Sequence, residues 1–146
     1  MKKITLIVLT LLGTATASFA ADDLKTMLQK NEQVLDAVHN EFTTIIEVAK
    51  NPAVARRAQF VQISIGLALV SHDYIIFLLD SEECFGKNQR TAIPEYSRNI
   101  LNNARIGVWN NLKGIQRKSI RQKAVDAHST IQDSLLKIKA DLERKI

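Results

Sequence analysis

Three histidines are the residues best suited to acid–base or metal chemistry, and each has an aspartate close by: His39 with Asp36, His72 with Asp73, His128 with Asp126. Three imidazoles converging from different helices would make a metal site. A di-iron bundle, however, needs two Glu-x-x-His motifs and two further glutamates, and only Asp36-x-x-His39 approaches one. The chain has no His-Glu-x-x-His run, no glycine-rich phosphate loop and no nucleophilic serine elbow. No catalytic residue and no metal ligand is therefore expected, and the protein is read as not an enzyme. The single cysteine, Cys84, sits between Ser81-Glu82-Glu83 and Gly86-Lys87-Asn88. The glutamates disfavour its thiolate, which argues against a nucleophile. What remains is a small buried residue or an intermolecular disulfide.

Haem gives a second test. A c-type attachment needs Cys-x-x-Cys-His, which is absent. A b-type haem in a helical bundle would need axial ligands such as Met27 and His128. About 18 residues, roughly 27 Å of helix, follow His128, while only a turn or so precedes Met27. In an antiparallel bundle the two side chains then miss each other unless the last helix overhangs. No cofactor is expected, and a carrier of b-type haem or another small ligand in the bundle interior is kept as the alternative.

The stronger signal is charge. Residues 87–123 carry nine basic side chains and one acid, Glu95, for a net of +8, whereas residues 21–86 have a net of −5. One stretch of the chain can therefore present a basic face to an anionic partner. The candidate partner-binding residues are Arg98, Arg105, Trp109, Lys113, Arg117, Lys118, Arg121 and Lys123. Arg105 and Lys113 lie four residues to either side of Trp109, on the same helical face. An indole flanked by cations suits a protein hot spot, a sugar or a lipid interface, or else the edge of the core. The plainer reading of the asymmetry is that helices one and three lie side by side and neutralise each other, at about 0–1 kcal/mol per exposed pair.

These residues need elements to hold them. Leu24, Leu28, Leu35, Val38, Phe42, Ile45 and Ala49 form one apolar stripe, passing through Asn31, and predict a helix from about Asp22 to Lys50. Asn51 as a cap and Pro52 at the first helical position start a second helix, to about Asp80. Its later part, Phe60 to Leu79, is apolar almost all round, which predicts the most buried element. Ser81 to Ala92 reads as a polar loop. Pro94 begins a third helix with Ile93, Ile100, Leu101, Ala104, Val108 and Leu112 inward. Gly114 is a plausible break before a fourth helix, whose Ile120, Ala124, Ala127, Ile131, Leu135, Ile138 and Leu142 approach heptad spacing. The expected fold is all-α: an antiparallel four-helix bundle after a cleaved signal peptide. Were Gly114 not to break the chain, helices three and four would form one long hairpin arm, a variant that favours a homodimer.

The N-terminus reads as a secretory signal over residues 1–20. Lys2-Lys3 precede an apolar run from Ile4 to Leu12, and Ser18 and Ala20 suit cleavage before Ala21. Residues 21–146 would then form a single helical domain in the periplasm. A transmembrane span over Phe60 to Leu79 is not expected. His72 and Asp73 interrupt it, and Arg56 and Arg57 would lie on the wrong side. The expectation is an exported, non-enzymatic binding or accessory protein that meets an acidic protein or an anionic envelope component. Nucleic acid is an unlikely partner outside the cytoplasm.

Overall fold

The computed structural model describes the backbone of residues 2–81 and 89–144, and the side chains of residues 23–81, 95–141 and 143. Among these residues the only regular elements are four helices, with no strand: α1 (Lys2–Val48), α2 (Pro52–Asp80), α3 (Gln89–Leu112) and α4 (Lys118–Arg144). α1 starts well before the expected Asp22, so the cut expected before Ala21 would fall inside it. α3 starts at Gln89, ahead of Pro94. Cys84 and Lys87 lie outside the described residues, as do the side chains of Ile93 and Leu142.

Local chemistry accounts for the breaks. Asn51 Oδ1 accepts from the Ala53 N–H at 2.8 Å, and Pro52 occupies the position where a missing N–H costs nothing. α3 and α4 are separate helices, so the long-arm variant is not adopted. The turn at Gly114 closes with Gly114 N–H donating to Asn111 and Ile115 N–H to Leu112, and Ile115 is buried as a plug beneath it.

The helices pack as a ring in chain order. α1 contacts α2 and α4, and α3 contacts α2 and α4, while α1 and α3 lie across the diagonal. The core holds Leu24, Leu28, Leu35, Val38 and Phe42 of α1, Leu101, Ala104, Val108 and Leu112 of α3, and Ala124, Ala127, Ile131, Leu135 and Ile138 of α4. Those stripes agree with the periodicity. The diagonal placement overturns the idea that helices one and three neutralise each other. The acids of α1 instead meet its ring neighbours: Glu41 with Lys123, and Asp23 with Lys137 at 2.6 Å, both on α4. Lys25 of α1 meets Asp80 of α2 at 2.5 Å.

α2 departs most from expectation. It buries Ala58, Val61, Ser64, Ile65, Ala68, Ser71, His72 and Ile75, half of them Ala or Ser. Phe60, Ile63, Leu67, Val70, Tyr74 and Phe77 point outward instead, with exposures from 42% to 67%. Among the described residues it still buries more residues than any other helix, but the apolar run is not buried all round. Small inner side chains let its neighbours approach: Gly107 of α3 sits on Ser64, and His39 of α1 lies over Gly66. A helix that packs this closely has room inside for Ala and Ser, and its large residues go outside.

Two polar pins fix register. Asn31, which interrupts the α1 stripe, donates to Ser134 Oγ at 2.9 Å and to the Thr130 carbonyl at 3.4 Å, joining α1 to α4. Gln62 Nε2 donates to Thr43 Oγ1 at 2.6 Å, joining α2 to α1.

Candidate functional site

On α3 a 3.6-residue repeat brings Arg98, Asn102, Arg105 and Trp109 onto one stripe, with Lys113 just past its end. Val108 and Leu112 beside them are buried, so the stripe is turned away from the core. Trp109 is 48% exposed and is not a core residue. Its ring packs on the imidazole of His128 from α4, with centroids 5.0 Å apart and planes tilted by 42°. Arg105, one turn before Trp109, is steered by its neighbour: its Nε and Nη2 both donate to Asn102 Oδ1, at 3.3 and 3.0 Å.

Arg105, Ile106, Trp109 and His128 line a shallow open groove of about 240 Å³. Burial, and then the Arg105 guanidinium, hold the His128 imidazole below its ordinary pKa. At neutral pH the groove therefore offers a cation, an indole face and an uncharged imidazole side by side. A carboxylate next to an apolar or aromatic side chain fits that chemistry: the guanidinium takes the charge and the indole the apolar part. Toward the α3–α4 turn, Lys113, Arg117, Lys118 and Arg121 are all exposed. They add positive charge at the groove's end.

Not every expected residue joins this surface. Lys123 is held by Glu41 on the side of α4 that faces α1. Arg98 is half-buried, nearly two turns before Arg105. Two lining residues, Ile106 and His128, were not among the expected binding residues. Helical spacing alone offers a signal for Ile106, three residues before Trp109. His128 meets Trp109 only through the packing of α4 against α3, which spacing along either helix does not show.

The three histidines stay apart. His39 lies over Gly66, His72 is fully buried in α2, and His128 faces the groove. The neighbouring aspartates have other partners: Asp36 accepts from Asn40, Asp126 accepts from Gln122, and Asp73 approaches Glu32. Among the described residues no three His, Cys, Asp or Glu side chains are grouped to hold a metal. Met27 packs against the core with Asn31 Nδ2 on its sulfur at 3.0 Å, on the side of α4 marked by Ser134. His128 meets Trp109 on the α3 side, so the pair considered as haem ligands serves different faces of α4. No protein-family model, curated protein or solved structure matches the chain.

Proposed function

We propose that this is an exported helical binding protein that works in the periplasm after loss of residues 1–20. It engages an acidic macromolecular partner through the outer surface of α3 and α4, and acts by binding rather than catalysis. In this reading the helices run alternately up and down. That course is supported by pairs that join the start of one helix, α1 being counted without residues 1–20, to the end of another: Lys25 with Asp80, Lys123 with Glu41, and Asp23 with Lys137. The observation that carries the reading is Trp109, left half-exposed against His128 with Arg105 steered beside it. Tryptophan and arginine are among the residues enriched where protein interfaces concentrate their binding energy. A toxin neutraliser, a secretion-system accessory or an envelope chaperone would each use such a surface.

The test is capture of a partner from envelope extract at low and high salt. A single partner that is released by salt and lost with Trp109→Ala supports the reading. Equal capture by the parent protein and by Trp109→Ala overturns it.

A further inference from the structure

The outer face of α2 takes no part in the α3–α4 groove. Phe60, Ile63, Leu67, Val70, Tyr74 and Phe77 recur at alternating steps of three and four, the seam spacing of a coiled coil. All six are exposed, Val70 by 67% and Phe77 by 56%. With exposures near one half and about 150–250 Å² for each large side chain, the stripe offers on the order of 600 Å². That is at the upper limit of the contiguous apolar patches monomers leave open, about 300–600 Å². It also approaches the about 800 Å² per partner of a stable interface before flanking residues are counted.

The stripe is self-complementary when reversed. About a point between Ala68 and Leu69, Phe60 answers Phe77, Ile63 answers Tyr74, and Leu67 answers Val70. Charge follows the same symmetry. Arg56 and Arg57 stand exposed at one end, and Asp80 at the other, with no Lys or Arg between Arg57 and Asp80. Two α2 helices running in opposite directions bring each arginine end to the partner's Asp80 end. A parallel pair would set like charges and like helix dipoles together. Within its own chain Asp80 holds Lys25 through Oδ1, and Arg57 lies over Gly114, so both ends are already anchored at the rim.

We propose that a second copy of this chain covers the face, with two α2 helices packed antiparallel about a two-fold axis and Leu67 against Val70 of the partner at its centre. α2 is also long and apolar enough to cross a membrane. Its inner face, with Ser64, Ser71 and His72 buried in the bundle, is committed to α1 and α3. Beyond Arg57 the rim has no Lys or Arg and carries Asp73 and Asp80, so an anionic lipid surface would meet cations at one end only. Protein is therefore the better cover.

Sedimentation velocity over a concentration series, on the purified protein carrying Cys84→Ser, tests this. A dimer is expected, and Leu67→Glu should weaken it at least about 30-fold, as for a central interface residue, with helical circular dichroism unchanged. Should Leu67→Glu lose its helix signal, Val70→Ser carries the same measurement. Orientation is read by disulfide trapping: Phe60→Cys chains mixed with Phe77→Cys chains should cross-link, and Phe60→Cys alone should not. A monomer at every concentration overturns the proposal, whether or not it floats with vesicles of anionic phospholipid. So does a dimer indifferent to both substitutions, or one that cross-links through Phe60→Cys alone.

Discussion

His72 is fully buried, and neither ring nitrogen has a hydrogen-bond partner. Burial pushes its pKa down from 6.5 to about 4, against a smaller opposing pull from Asp73. Below pH 6.5 the unfolded chain takes up a proton that the buried ring refuses. Its contribution to stability is therefore complete above pH 6.5 and declines as pH falls toward 4. Between pH 7 and pH 5 the loss should be about 2 kcal/mol at 1.36 kcal/mol per pKa unit. Urea unfolding should show it, and His72→Met should flatten that acid limb. Glu32 has the opposite sign. Burial, with Asp73 and then Asp36 close by, raises its carboxyl from 4.5 to about 7. A raised carboxyl stabilises below its unfolded pKa, and the effect disappears as pH climbs through 7. Glu32→Gln should accordingly stabilise the protein at pH 8 and leave it unchanged or weaker at pH 5.

At the scale of the element, the close approach of α2 and α3 depends on Gly107. A methyl group there would press on the Ser64 hydroxyl and come within 3.2 Å of Ser64 Cβ. Ser64 is buried, and its Oγ donates to the Phe60 carbonyl at 2.8 Å, so it has little room to yield. Alanine normally favours a helix over glycine by about 1 kcal/mol, whereas overpacking a close contact costs about 1–3 kcal/mol. Gly107→Ala should then lower stability by about 1 kcal/mol in chemical denaturation, and Ser64→Ala in the same chain should recover part of it. At Gly66 the nearest atom would be His39 Nε2 at 3.7 Å, an ordinary contact. Gly66→Ala should be tolerated, which makes it a control for the argument at Gly107.

For the whole molecule, the ring order decides which surfaces can work together. α2 and α4 are diagonal and barely touch. A pair formed through α2 would leave both α3–α4 grooves uncovered, and two linked basic surfaces would bind a repeated acidic partner more tightly than one. Reversing Arg117, Lys118 and Arg121 to glutamate should sharply reduce partner capture and its dependence on salt. The same chain should keep its helical content, because all three residues are exposed. A triple variant that captures as well as the parent would remove the basic turn from the binding surface.

The sequence by itself determined that the chain is helical, where α2 begins, that Gly114 breaks α3 from α4, and which stripes of α1, α3 and α4 turn inward. Each of these follows from local chemistry: a 3.6-residue repeat, a capping asparagine before a proline, a glycine at a turn. It also marked the basic stretch and the position of Trp109 within it. Only the tertiary structure decided which side of α2 faces the core. When a helix is apolar all round, hydropathy does not choose a face. The choice fell to packing distance, which admits Ser64 and Ala68 and turns Leu67 and Val70 outward. It likewise decided that His128 rather than Lys123 joins Trp109, because that contact crosses a turn and depends on how α4 is rotated against α3. Asn31 reads in the sequence as a gap in an apolar stripe, and becomes a register pin once Ser134 lies opposite.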